Sequence, residues 1–364
     1  MTRIADIERL RGVAVAMVVV HHAARFLPGE AARILSAAGW SGVDLFFVIS
    51  GFVVGASLLR TLPTGATPLD RLRRAGPWLL SFARRRALRL WPLAWATAAL
   101  AWLLAAALGG EFGSGPQLLR ELLSVVTCTY NFHALHHAGE RLAWYWSLGV
   151  EEQFYAALPL LLLLAPGTRR ARLAFAAAGV LLPVLLRPWE VPASPDAFEA
   201  WRYPPWARAD ALFAGVWLAA WRHGQTGHPS PMRAWTSALS WALAAAVFLL
   251  PALGPFPWAL GGGATALTAL SLALVALASG DRGDVLPLPS APGLLGWLGA
   301  RSYALYLLHP LALRLVLRLD AGPLLVTAAF TALSLALAEA AHRWVEIPLR
   351  GLGTSSPLGA ARAA

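Results

Sequence analysis

The residues best placed to do chemistry stand inside apolar runs. Near the N-terminus, RGVAVAMVVVHH sets Arg11 eleven positions ahead of His22. On an α-helix that spacing is about three turns and ~16 Å of rise, so both side chains share one face. An ionisable group at that depth in an apolar segment is costly, which makes it a functional candidate. A neutral imidazole there can take the proton of a hydroxyl as a general base. The other reading of His22 is a core histidine packed against a neighbouring helix. His21, about 100° round the helix, is the more structural of the two.

Further polar groups recur at comparable depth. In GWSGVDLFFVISGF, Asp44 falls in the outer third of a span and Ser50 near its middle. A buried carboxylate needs a partner; Ser50 has either a polar role or a small-residue contact between helices. WYWSLGVEEQFY puts Glu151 and Glu152 on different faces, where one glutamate can orient a histidine or pair with an arginine. In ARSYALYLLHPL, Tyr303 leads Tyr306 by three, and Tyr306 and His309 are neighbours on one face. Pro310 loosens the backbone bonding there. RYPPWARADALFAG brings Arg208 and Asp210 to the outer mouth of a helix. In ARRRALRLWP, Arg86 and Arg89 share a face and suit a phosphate clamp, with Arg84 and Arg85 as anchors at the inner surface. HALHHAG, with His133, His136 and His137, lacks a zinc-site spacing, so no metal is expected. LGGGAT reads as helix contact rather than as a phosphate loop.

The elements that must carry these groups follow from composition. The chain has 364 residues, 58% hydrophobic and 13% charged, about half the charged fraction of soluble domains. Its mean hydropathy is +0.58. The expected fold is all-α: a polytopic integral membrane bundle of about ten transmembrane helices with no separate soluble domain. Spans are expected near 11–28, 39–60, 82–108, 146–165, 171–187, 207–222, 234–251, 258–279, 295–318 and 322–344. Residues 1–350 would form the membrane unit and 351–364 a disordered tail.

The net charge of +11 comes from 30 arginines and no lysine. With the N-terminus in the cytoplasm, 21 of those 30 arginines fall on inner segments. This is the positive-inside pattern with both termini cytoplasmic, rather than a nucleic-acid footprint. The lone Cys128 excludes an intrachain disulfide. No cleavage site follows the first apolar run, so no signal peptide is expected.

Arginines thus gather toward the inner side, and His22, Ser50, Asp44, Glu151, Tyr306 and His309 from midplane outward. That layout suits a phosphate-rich donor from the cytoplasm and an acceptor from outside. The rival class is a transporter or flippase whose polar residues line a path without bond making. No inverted repeat or pair of broken helices supports it.

The Arg11-to-His22 spacing, GVDLFFVISGF, RALRLWP, WSLGVEEQFY, RADALFAG, SYALYLLHP and VEIPLR occur in order. In these motifs, over nearly its whole length, the chain resembles acyltransferase family 3, bacterial membrane O-acyltransferases of surface polysaccharides and some small molecules. The resemblance implies ten spans in the bacterial cytoplasmic membrane and an acyl-CoA co-substrate, usually acetyl-CoA, on the inner side. The acceptor it implies is a carbohydrate or lipid-linked glycan outside, with a small molecule such as a macrolide as the alternative. The family's Arg-x10-His pair falls on Arg11 and His22, with His22 as the catalytic residue. Its Arg-x-x-Arg motif falls on Arg86 and Arg89. Some relatives carry an extra esterase-like domain after the last span; its absence here is expected from where this chain stops.

On this reading Arg11, Arg86 and Arg89 bind the CoA phosphates. His22, oriented by Glu151 or Asp44, acts as base. Tyr306, Ser50 or His309 supplies a donor to the oxyanion, and Ser50, Arg208 and Asp210 meet the substrate. Direct transfer and a transient acyl-histidine both stay open.

Overall fold

A computed structural model describes residues 4–65, 67–108, 115–135, 141–165, 167–188, 201–225, 233–254, 256–291 and 293–354. Among the described residues there are ten helices of 17 residues or more and no strand. They are α1 (Ala5–Ala24), α2 (Gly42–Thr61), α3 (Gly76–Leu108), α4 (Tyr145–Leu164) and α5 (Arg169–Leu186). α6 (Pro205–Arg222), α7 (Arg233–Leu253), α8 (Gly262–Ala278), α9 (Leu294–Val316) and α10 (Pro323–Ala341) complete the bundle. Five helical segments among the described residues are both long and apolar enough to cross a membrane. α8 is short, and α1, α5, α6 and α9 carry charges that lower their hydropathy.

Each expected helix is present, but α1 begins six residues before its apolar run. Asp6 and Glu8 occupy its first turn, where the helix dipole favours acids. Arg9 also donates back to Asp6 at 2.9 Å. The C-terminal helix Ile347–Thr354 follows a π-turn at His342–Glu346 and lies on α3. Residues 355–364 of the expected tail lie outside the described residues.

Close backbone approach fixes the centre of the bundle. α1 lies against α9 because Gly12 faces the Leu295 carbonyl and Gly299 faces the Glu8 carbonyl. A Cβ at either glycine would overlap those atoms. The same reciprocal arrangement joins α2 to α6, with Gly51 on Leu212 and Gly215 on Val48. Small residues of this kind let helices meet where lipid supplies no hydrophobic drive. α1 also packs on α2, so the faces bearing Arg11, His22, Ser50, Tyr306 and His309 converge.

Two connections complete the frame. Before α4, buried Glu121 accepts bonds from Tyr130 at 2.8 Å and from the backbone of Arg141 at 3.0 Å and Leu142 at 2.5 Å. These bonds tie residues 130 and 141–142, just ahead of α4, to the helix that carries Glu121. Between α2 and α3, Thr67 and Asp70 form a capping box for the short helix Pro68–Arg73. Its Arg71 donates to the Ala165 carbonyl at 2.7 Å, tying the connection to the end of α4.

Candidate active site

Two cavities lie one behind the other along α1. The first, of about 820 Å³, takes Arg11 from α1, Ser50 from α2, Arg86 and Arg89 from α3, Glu151 and Tyr155 from α4, and Ser302, Tyr303 and Tyr306 from α9. Three guanidiniums therefore border one space. Arg86 lies 5.0 Å from the centre of the Tyr155 ring. Tyr155 donates to one Glu151 oxygen at 2.9 Å and Ser50 donates to the other at 2.8 Å. Glu151 is the one acid among the described lining residues, and both its oxygens are occupied. The cavity is left with an excess of positive charge, suited to a polyphosphate.

The second cavity, of about 990 Å³, is bordered by His21, His22, Arg25, Trp40, Trp144, Trp146, Arg202, Tyr203 and His309. Arg11 and His22 thus open from one helix onto successive spaces, about 16 Å apart along its axis. Tyr306 and Val43 line both cavities and form their common wall. The Tyr306 hydroxyl donates to the Trp144 carbonyl at 3.0 Å and lies 2.7 Å from Ser147 Oγ.

Two of the three imidazoles of the second cavity, from different helices, meet. The rings of His22 and His309 are 4.9 Å apart. His309 Nδ1 lies 3.1 Å from the Leu305 carbonyl. A carbonyl only accepts, so this nitrogen donates, and in the neutral ring Nε2 keeps a lone pair. Neither His309 Nε2 nor His22 Nδ1 has a hydrogen-bond partner among the described residues. His21 is engaged differently, with Nδ1 on the Ser36 carbonyl.

The family model described as an acyltransferase domain matches residues 4–342. The chain belongs to this acyltransferase family. A protein of Komagataeibacter xylinus named as a membrane-bound transacylase, BcsY, is 34% identical over 179 residues. The match takes in 47% of this chain and 40% of that relative's length. No solved structure matches. The apolar helices and the membrane-bound relative mark this acyltransferase as a multi-pass membrane protein.

Several residues of this acyltransferase stand elsewhere than the sequence suggests. Neither Glu151 nor Asp44 orients His22. Glu151 faces the arginines and is held by Ser50 and Tyr155, while Asp44 is ion-paired with Arg208 in the bundle interior. Ser50 accordingly belongs to the arginine-lined cavity, with its proton directed at Glu151 and not at an oxyanion. Tyr306 is likewise committed to Trp144.

Arg208 and Asp210 are not at an open mouth either. They are 2% and 1% exposed and border neither cavity. Asp210 accepts from Arg187 at 2.9 Å and from Thr268 at 3.1 Å. Arg208 is tied to α2 through Asp44, and Asp210 to the end of α5 and to α8 through Arg187 and Thr268, so both join helices together.

Sequence reasoning passed over Arg25, Arg202, Ser147 and Ser302. Ser302 follows Arg301 in the ARSYALYLLHPL stretch, one residue before Tyr303. Arg202 stands at the start of RYPPWARADALFAG, six residues before the more conspicuous Arg208. Among the described residues no group of His, Cys, Asp and Glu could hold a metal ion; His136 and His137 lie outside them.

Proposed function

We propose that this chain transfers an acyl group, acetyl in the simplest case, from cytoplasmic acyl-CoA to a hydroxyl of a carbohydrate on the far side of the bacterial cytoplasmic membrane. The observation that carries the proposal is the pair of cavities opened by Arg11 and His22 on one helix, with Tyr306 and Val43 as their shared wall. The excess of arginine on inner segments favours cytoplasmic termini, which puts the Arg11 cavity on the inner side.

In this mechanism Arg11, Arg86 and Arg89 hold the CoA phosphates by charge-assisted hydrogen bonds. The thioester reaches toward the shared wall. The acceptor enters the other cavity, where Trp144 and Tyr203 line the space beside the histidines. His22 takes the hydroxyl proton as the oxygen attacks the thioester carbon. The tetrahedral intermediate collapses with cleavage of the C–S bond, and the imidazolium returns the proton to the departing thiolate. An ester and free CoA result. His309, whose ring lies 4.9 Å from that of His22 and whose Nε2 is not engaged by another described residue, is the group assigned to orienting the imidazole.

The test uses purified full-length protein in detergent, radiolabelled acetyl-CoA and a panel of glycan acceptors, following free CoA and labelled ester. His22→Ala should lower transfer by about 10²–10⁴-fold while the protein stays folded. Wild-type transfer in that variant would remove His22 as the base. Absence of any acceptor-dependent CoA release from the wild type would remove the enzymatic reading.

A further inference from the structure

The charge of the outer cavity narrows the acceptor. Its wall holds two guanidiniums, Arg25 and Arg202, and three imidazoles, His21, His22 and His309. Among the described residues no carboxylate lines it. Asp44, whose charge also acts on Arg202, does not reach the surface of the cavity and is ion-paired with Arg208.

Arg202 is held in a defined place. Its guanidinium lies 5.0 Å from the Trp40 ring centre and 5.1 Å from that of Trp146. Two indole faces therefore fix the plane of a group that binds oxyanions through its edge. The same cavity carries Trp144 and Tyr203, so aromatic faces suited to a sugar ring stand beside cations suited to an anion.

The mechanism adds a second reason. When His22 takes the acceptor's proton, the imidazolium stands among like charges. An anion bound to Arg202 and Arg25 offsets that repulsion at the step where it matters. A neutral acceptor leaves it in place.

We infer that the acceptor is an anionic saccharide, whose carboxylate or phosphate is held by Arg202 with Arg25 while its hydroxyl meets His22. This inference rests on the acyl-transfer reading for the role of His22, but the binding preference can be tested without transfer. The shared chemistry is an oxyanion next to a pyranose ring; a uronate and a sugar phosphate are its two sources.

The experiment measures binding of three matched ligands to the full-length protein in detergent by calorimetry: methyl β-glucoside, methyl β-glucuronide and glucose 1-phosphate. One or both anionic ligands should bind at least about tenfold more tightly than the neutral one at low salt, with the margin narrowing as salt rises. A preference for the glucuronide alone identifies a carboxylate acceptor, and for the phosphate alone a phosphosugar. Equal or tighter binding of the neutral glucoside overturns the inference. So does failure of both anionic ligands to bind at millimolar concentration.

Arg202→Gln should lose most of the preference and Arg202→Lys retain part of it, while acetyl-CoA binding at the inner cavity reports that each variant is folded. A preference undiminished in Arg202→Gln rules out that residue as the anion's partner. Acetyl-CoA turnover is followed in parallel. Anion preference without any CoA release overturns acyl transfer alone; CoA release with a neutral acceptor and no anion preference overturns this inference alone.

Discussion

His22 on α1 and His309 on α9 hold their imidazole rings 4.9 Å apart, inclined by 49°. The Leu305 carbonyl, 3.1 Å from His309 Nδ1, fixes the proton on that nitrogen. His309 Nε2 makes no hydrogen bond to another described residue, and its ring stands beside His22 in the place where a carboxylate was expected. Replacing His309 by Phe keeps the ring and removes the lone pair. The expected result is a fall in kcat on the order of 10–10²-fold with little change in KM for acyl-CoA, measured by steady-state CoA release. A wild-type kcat would reduce the pair to packing.

Arg86 and Arg89 border the same cavity as Arg11. Arg86→Ala and Arg89→Ala should each raise KM for acyl-CoA by about tenfold, as expected when a charge-assisted bond to phosphate is lost. Affinity of the wild type should weaken with added salt more than that of either variant. Unchanged KM in both variants contradicts phosphate binding at this wall.

Glu151 acts through its neighbours. Its oxygens accept from Ser50 and Tyr155, and the Tyr155 ring carries the Arg86 guanidinium at 5.0 Å. Glu151→Ala should therefore raise KM for acyl-CoA, with Tyr155→Phe shifting it in the same direction by less. A drop in kcat at constant KM would instead place Glu151 in the chemistry.

Asp44 and Arg208 form an ion pair with both partners nearly inaccessible. Asp44→Ala leaves a buried guanidinium uncompensated, which costs about 3–5 kcal/mol when such a pair is broken. Thermal unfolding in detergent should show the loss, and Asp44→Ala combined with Arg208→Met should recover part of it. An Asp44→Ala protein as stable as wild type would contradict a structural role for the pair.

Asp70 lies in the connection between α2 and α3, away from the spans. Hydrogen bonds from the Thr67 hydroxyl and backbone N–H hold its carboxyl below the usual carboxylate range. A lowered value means that the cap stabilises the folded state above the ordinary range and fades as pH falls through the lowered value. Asp70→Asn should be less stable than wild type at neutral pH, and the gap should narrow below the ordinary aspartate range and close once pH has fallen past the lowered value. A stability gap that persists in acid would assign the effect to something other than the cap's charge.

Helix existence was legible because it depends on local quantities. A run of about 20 apolar residues forms a span whatever lies beside it, and each of the ten expected runs contains a long helix. The start of α1 was missed because polar residues there extend the helix through its dipole and through the Arg9–Asp6 bond, without adding hydropathy. Arg11 and His22 were legible as a pair because fixed rise and turn angle relate positions on one helix.

Partner choice between helices was not legible. Asp44 and Arg208 are 164 positions apart, and no spacing rule relates them. Depth along a span can be counted at a fixed rise per residue, but rotation about its axis is set by contact with other helices. That rotation turned Glu151 toward Arg86 and not toward His22.

The amino-acid order by itself determined an arginine-rich, all-helical membrane chain, with its ionisable residues at given depths and the Arg11–His22 face. Tertiary structure decided which buried charges became architecture, which faced a cavity, and that His309 rather than a carboxylate stands beside His22. The reason is physical: backbone hydrogen bonding and hydropathy act within a segment, whereas the closest approach of α1 to α9 and of α2 to α6 is fixed by glycine-against-carbonyl contacts from distant parts of the chain.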